Sequence, residues 1–354
     1  MKKSKLIYLL THYSLRENIK RVLYRLAKFV FAKNIKQTIE LNYLNLADLV
    51  DYRLLTEAIT HSVESSSKEF LQLSHTFEPR YLISVKNAIV DTKTGMVFLG
   101  DKKSGFRLLE FSSEWPKESL TGNIVLPRDS QIQTVEIASL GLPNINYFHL
   151  LTHWLGNTME LERLANPILI TPYSHSLSRE IFALNDLRFV EATSRWIKVK
   201  SLSMINTTRL GYLHPEDRSL ISKKLAGKQS KVEDIYVSRR RSSRALPKED
   251  IIEKNLAKMG FKVVYSEELD LRSQIDLFSK ARTILAPHGA GIANGLFAQA
   301  GTRVVEIMPS FRFNRCYEWQ SSICNHLYSR VVYEGNSSHE SLIQDILNEV
   351  ANNG

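Results

Sequence analysis

Three short stretches of this chain carry residues suited to a phosphorylated ligand. Arg239, Arg240, Arg241 and Arg244 come directly after the apolar run IYVS, His288-Gly289-Ala290-Gly291 comes directly after TILAP, and Glu306 lies inside RVVEIMP. Guanidinium groups meet phosphate oxygens through planar, paired hydrogen bonds. Glycines in a turn that opens a helix let a phosphate approach bare backbone amides at the positive end of the helix dipole. His288 could donate a hydrogen bond to phosphate or sugar, and a carboxylate at a strand end such as Glu306 suits the paired hydroxyls of a ribose. A glycine turn alone is often only conformational, and an arginine cluster alone is often a solvated face. Side by side they point to a diphosphate.

A second candidate group lies upstream. The stretch Asn146-Tyr147-Phe148-His149 enters a helical pattern, and His149 and His153, four residues apart, share one helix face. Imidazole titrates near working pH, so either can serve as general base toward a hydroxyl. A packed or capping pair of histidines is the plainer alternative.

These residues need elements to hold them. Residues 233–335 alternate strand and helix: DIYVS, a helix over Lys248–Met259 closed by Gly260, KVVYS, a helix over Leu271–Lys280, TILAP, a helix from HGAG to Ala300, then RVVEIM. This spacing predicts a Rossmann-like parallel sheet, whose ligand sits at the carboxyl ends of the strands where helix N-termini converge. Residues 76–232 predict a second α/β domain. It opens with a hairpin around Asp91–Gly95 and the strand GNIVLP. A helix over His149–Ala165, the strand PILITP, a helix over Ser178–Asn185, the strand WIKVKSLSMI and a helical connector over His214–Lys231 follow. Residues 1–75 predict an appendage, helical and then loop-like between 39 and 75. Residues 336–354 predict a last helix that returns toward the first domain.

Composition narrows the partners. The 354 residues are 43% hydrophobic and 24% charged, which fits globular domains rather than a disordered chain, and the length suits two of them. Lys and Arg outnumber Asp and Glu by 47 to 37, for a net charge of +10, which favours anionic partners. Cys316 and Cys324 are too few for a disulfide framework and stand outside any zinc spacing, which points to a reducing, cytoplasmic setting. The opening MKKSKLIYLL breaks at Thr11-His12 without a small-residue cleavage site and makes a poor signal peptide. No window reaches the about 20 apolar residues that a membrane span needs. Residues 18–36 read as a basic amphipathic helix, with Ile19, Val22, Leu23, Leu26, Phe29 and Val30 set among Lys20, Arg21, Arg25, Lys28, Lys33 and Lys36. That helix either docks on its own domain or rests on an anionic membrane at the inner face.

The stretch from Tyr236 to Phe261 (YVSRRRSSRALPKEDIIEKNLAKMGF), with LRSQIDLFSKARTILAPHGAGIANGLFAQAGTRVVEIMP after it, resembles the C-terminal half of glycosyltransferase family 61. The ordered set of arginines, Asn255, Gln274, HGAG, Asn294 and Glu306 carries the resemblance. A weaker likeness extends back through NYFH to Asn87. It implies a GT-B-like α/β fold with two Rossmann-like domains facing a cleft. It also implies inverting transfer of a sugar from a nucleotide sugar, a UDP-sugar first, to a glycan or lipid-linked glycan acceptor in capsule or lipopolysaccharide biosynthesis. Family members carry an acidic residue near the position of His153 and Trp near that of Leu150, so His149 ranks before His153 as base. Arg239 and Arg244 would stabilise the leaving diphosphate. Arg240, His288, Gly289, Ala290, Gly291, Asn294 and Glu306 would bind the donor.

The predicted cleft holds no DxD motif, and Asp250 and Glu253 read as first-turn helix residues, so no metal and no cofactor is expected. The competing class is a non-catalytic Rossmann-like protein that holds a nucleotide or nucleic acid. Nucleic-acid binding would need a basic stripe with interleaved aromatics, whereas here the arginines gather at one strand end. A dehydrogenase would need G-x-G-x-x-G, which HGAGIAN does not supply.

Overall fold

In the computed structural model the described residues are 42–44, 52–63, 73–77, 79–93, 95–101, 105–109, 132–139, 146–164, 166–170, 176–206, 213–225, 231–310, 314–334 and 339–351. The amphipathic stretch 18–36 and the strand GNIVLP lie outside them. Among these residues the architecture is mixed α/β, with one large mixed sheet, one parallel sheet and a two-stranded ribbon.

The mixed sheet contains β1 (Asn42–Leu44) and β2 (Tyr52–Thr56); β3 (Ile59–Val63) and β4 (Leu73–Phe77) form the separate antiparallel ribbon. The sheet continues with β5 (Arg80–Asp91), β6 (Met96–Asp101), β7 (Gly105–Leu109), β8 (Gln133–Ser139), β9 (Ile168–Ile170), β10 (Phe189–Glu191) and β11 (Trp196–Ile205). Its order is β1-β7-β6-β5-β11-β8-β9-β10, with β2 also on β5. The expected hairpin is β5–β6, with Gly95 at φ 76° in the left-handed region that glycine tolerates. The stretch between 39 and 75, expected to be helical and then loop, holds β1 to β4 instead. A leucine-rich segment satisfies either period, and pairing with β5 decides for strand.

The helical run of this half starts with α1 (Tyr147–His149), widens into a π turn (Leu150–Trp154) and continues as α2 (Leu155–Leu161). Asn146 caps its start by accepting from the amide of Phe148 at 2.9 Å. Then come α3 (Ser178–Leu184) and α4 (Pro215–Lys224), the latter capped by His214 with Pro215 in its first turn.

The parallel sheet follows: β12 (Glu233–Val237), β13 (Lys262–Val264), β14 (Ala281–Pro287), β15 (Arg303–Pro309) and β16 (Leu327–Tyr333), in the order β13-β12-β14-β15-β16. It alternates with α5 (Glu249–Lys258), α6 (Leu271–Ser279), α7 (Cys316–Ile323) and α8 (His339–Ala351). Strand order reverses between β12 and β14, because β13 adds on one side of β12 and all later strands on the other. That reversal opens a crevice above the carboxyl ends of β12 and β14.

One apolar core joins the two halves. Phe148, Leu151, Trp154 and Leu155 of the α1–α2 run pack with Ile235, Val237, Leu271, Phe278, Ile292 and Leu296 of the parallel sheet and its coverings. Each such side chain contributes about 1.5–3 kcal/mol on full burial, which fixes the helical run against the second sheet. On the sheet's opposite face α5 and α8 pack together through Ile252, Leu256, Leu342 and Ile346. The last helix therefore stays on its own sheet rather than returning toward the first half, since its apolar face at Leu342 and Ile346 is complementary to Val305 and Val331. The segment after HGAG is a 3-10 helix over Ala290–Phe297 rather than an α-helix reaching Ala300. Its two glycines and two alanines let it lie close to the sheet, where a Cβ at Gly291 would come within 2.8 Å of Val237 Cγ1.

Candidate active site

Two buried glutamates on α5 build the arginine loop. Glu249 Oε1 accepts from the amide of Arg239 at 2.6 Å and from Tyr236 Oη at 2.9 Å, while Oε2 accepts from the amide of Leu246 at 2.9 Å. Glu253 Oε1 accepts from Ser238 Oγ at 2.6 Å and from Tyr265 Oη at 2.8 Å. Glu249 satisfies two amides of a chain that has just left β12, and Glu253 holds the hydroxyls of Ser238 and Tyr265 beside it. Glu253 thus does more than the first-turn role its position suggested. Glu249 carried no sequence signal beyond that same first-turn placement.

The loop divides its arginines. Arg239 turns toward β14: Nη1 donates to the carbonyl of His288, and Nε donates to Ser242 Oγ at 3.3 Å. The charge of Arg244 also reaches this side, where it and Arg239 act on the Tyr317 hydroxyl. Arg240 and Arg241 are engaged on the β13 side. Arg240 Nη2 donates to Tyr265 Oη at 2.9 Å and Nε pairs with Glu253 at 3.4 Å, and Arg241 lies 4.1 Å over the Tyr265 ring while pairing with Glu268. Arg240, grouped by sequence with the donor contacts, is therefore committed to a network one strand away.

The HGAG turn meets Arg239 at the switch point. Gly289 is extended (φ 171°), so it is glycine for space rather than for backbone freedom: a Cβ there would overlap the Arg239 guanidinium. Gly291 is equally confined, since a Cβ would come within 2.8 Å of Val237 Cγ1 on β12. Ala290 and Gly291 open the 3-10 helix, and the first amides of a helix have no acceptor inside it. Arg239, His288, Gly289 and these amides thus converge on one rim.

Glu306 and Asn294 take different places from those expected. Glu306 is fully buried, with Oε1 held by His288 Nδ1 and Oε2 by the Tyr328 hydroxyl, so it faces the imidazole rather than a ribose. Asn294 is also fully buried; its Oδ1 accepts from Tyr147 Oη and its Nδ2 donates to Gln274 Oε1 at 2.8 Å. It knots α1 to the parallel sheet's coverings instead of lining an opening. Asn255, part of the same motif set, donates to the carbonyl of Ile251 within α5 at 3.0 Å.

His149, the last residue of α1, and His153 of the π turn lie close to this rim. The His149 and His153 rings stack at 5.1 Å with Nδ1 atoms 3.2 Å apart, and His153 Nδ1 also meets Thr152 Oγ1 at 3.1 Å. Burial lowers the His149 pKa, which keeps its imidazole neutral at pH 7 and able to accept a proton. His153 is 1% exposed and sits behind it. A file of ring contacts leads from this pair to the HGAG turn: Phe148 meets His149 at 5.3 Å and Tyr317 at 5.4 Å, and Tyr317 meets His288 at 5.3 Å. Tyr317, on a helix the sequence pattern did not reveal, is the link between the two groups. Among the described residues no group of three or more His, Cys, Asp or Glu side chains is placed to hold a metal ion.

A parallel α/β sheet that gathers guanidinium and amide donors at its switch point has the form of a phosphate-ligand site. In a comparison with known families, residues 147–305 match the family model described as Glycosyltransferase 61. The matched stretch starts at Tyr147, takes in both histidines, the arginine loop and HGAG, and supports glycosyltransferase activity for this chain. A comparison with curated proteins finds no match.

Proposed function

We propose that this chain is an inverting, metal-independent glycosyltransferase that takes a sugar from a nucleotide sugar, a UDP-sugar first, and places it on a glycan or lipid-linked glycan acceptor of capsule or lipopolysaccharide synthesis. The observation that carries this reading is the meeting of Arg239 with the His288 carbonyl and Gly289 at the switch-point rim. In it, residues 233–335 hold the donor and residues 76–232 the acceptor, as the two domains of a GT-B-like pair. His149 takes the proton of the acceptor hydroxyl, and the oxygen forms its bond to the anomeric carbon from the face opposite the diphosphate. The bond from that carbon to the diphosphate breaks, and the charge that develops on the leaving oxygens meets Arg239, Arg244 and the HGAG amides. The acceptor-side role of residues 18–36 at an anionic membrane is part of the same proposal; among the described residues no helix is long and apolar enough to cross a membrane.

The test is a thermal-shift and hydrolysis screen against UDP-, GDP-, dTDP- and CMP-sugars, with and without EDTA. One nucleotide should stabilise the protein and its sugar should be released slowly, with EDTA changing neither. Stabilisation without hydrolysis or transfer would support a non-catalytic nucleotide-binding protein instead, and loss of activity in EDTA would remove the metal-independent step.

A further inference from the structure

Glu306 poses a physical question that the donor-binding reading leaves open. It is a fully buried carboxylate in the middle of the parallel sheet, flanked by Ala286 on β14 and Arg330 on β16. Burying a carboxylate costs several kcal/mol even when paired, and an apolar residue of like size is often as stable. Its partners are arranged in a file. Tyr328 donates its hydroxyl to Glu306 Oε2 and accepts from Arg330 Nε at 3.1 Å; Arg330 Nη2 reaches Glu318 Oε2 at 3.3 Å; Glu318 is held by Arg315 through bonds of 2.7 and 2.8 Å. The other end of the file is His288 Nδ1 on Glu306 Oε1.

An ionised carboxylate only accepts, so the hydrogen in that contact belongs to Nδ1 of His288. The ring is further fixed by the edge of Tyr317. Its other nitrogen, Nε2, is not engaged by Glu306, and solvent reaches 10% of the side chain. We infer that Glu306 is a positioning residue: it accepts from Nδ1–H of His288, fixes the rotation of the ring and offsets the charge of the second proton that the ring carries when the ligand binds, so that Nε2–H is presented as a donor to the diphosphate at the HGAG rim, and it makes no contact of its own with the ribose. The rest of the file, Tyr328 and Arg330 above all, holds the carboxylate in place for that task. This rests on the reading of the rim as a diphosphate site.

Inorganic pyrophosphate separates the two roles, because it has no ribose. Its affinity and that of UDP, or of whichever nucleoside diphosphate the screen selects, are measured for the full chain, for His288→Asn, for Glu306→Gln and for the double variant. Positioning predicts that Glu306→Gln weakens both ligands by the same factor, at least about fivefold, and that the double variant is no weaker than His288→Asn alone. A loss for the nucleotide but not for pyrophosphate, or effects that simply multiply in the double variant, would overturn the inference while the diphosphate reading stands. If His288→Asn itself changes neither affinity, the inference fails as well, while the diphosphate reading is decided separately by Arg239→Ala. Should Glu306→Gln not fold, the 15N spectrum of histidine-labelled wild-type protein decides, with the His288 signals assigned by their absence in His288→Asn. Protonation at Nδ1 supports the inference, and a neutral ring protonated at Nε2 refutes it.

Discussion

Gly289→Ala isolates the contact on which the donor site depends. The backbone at Gly289 is extended, so alanine fits its dihedral angles without strain. The added methyl would, however, occupy the volume of the Arg239 guanidinium, whose Nη1 and Cζ are the nearest atoms. Those atoms are the far end of a flexible, part-exposed side chain, so the protein relieves the overlap by moving Arg239 off the His288 carbonyl. Stability should fall by about 1 kcal/mol or less, the usual size of a single substitution. Ligand binding should suffer more. A charge-assisted hydrogen bond is worth about 1.5–3 kcal/mol, and at about 1.4 kcal/mol per decade its loss weakens a diphosphate roughly 10- to 100-fold. Calorimetric titration with the selected nucleoside diphosphate measures this, and repeating it in an Arg239→Ala background tests the cause. There the same glycine change should add less than about twofold, since no guanidinium remains to be displaced. Unchanged binding in Gly289→Ala, or an equal loss in both backgrounds, would refute the argument.

Two further outcomes concern stability. Glu249→Ala strips the acceptor from the Arg239 and Leu246 amides and the Tyr236 hydroxyl, and at about 1–3 kcal/mol per buried donor left unpaired it should cost at least about 3 kcal/mol in urea unfolding. A loss under about 1 kcal/mol would mean the loop stands without it. His326, whose pKa burial lowers to about 4 from 6.5, should make the fold acid-labile. Above pH 6.5 the ring is neutral folded or unfolded. Between 6.5 and about 4 only the unfolded chain takes the proton, so stability falls with falling pH by up to about 1.4 kcal/mol per unit from this group. His326→Phe should flatten that slope in melts taken from pH 7 to 4, and an unchanged slope would assign the acid response elsewhere.

Much of the parallel sheet is legible in the sequence because β14 and β15 are buried on both faces and read as apolar runs bounded by glycine and proline. The rim residues follow from where those runs stop. Helix α7 is harder to see, since it buries Glu318, Gln320 and Ser321 as well as Tyr317 and Trp319, which hides its period. With it went β16, Tyr317 and the partners of Glu306. The pairing of His149 with His153 follows from four-residue spacing, but the π turn that stacks their rings leaves no mark in residue type. The arginine cluster shows the limit of proximity in sequence. Arg239 and Arg241 are two residues apart, and only the Glu249 and Glu253 contacts send one to His288 and the other to Tyr265.

That division supplies the most direct measurement of the central claim. The selected nucleoside diphosphate is titrated into wild-type protein, Arg239→Ala and Arg241→Ala. A diphosphate held where β12 and β14 part predicts a loss of at least about tenfold for Arg239→Ala and less than about twofold for Arg241→Ala. Equal affinities in all three proteins, or a greater loss from Arg241, would place the ligand elsewhere and contradict the account.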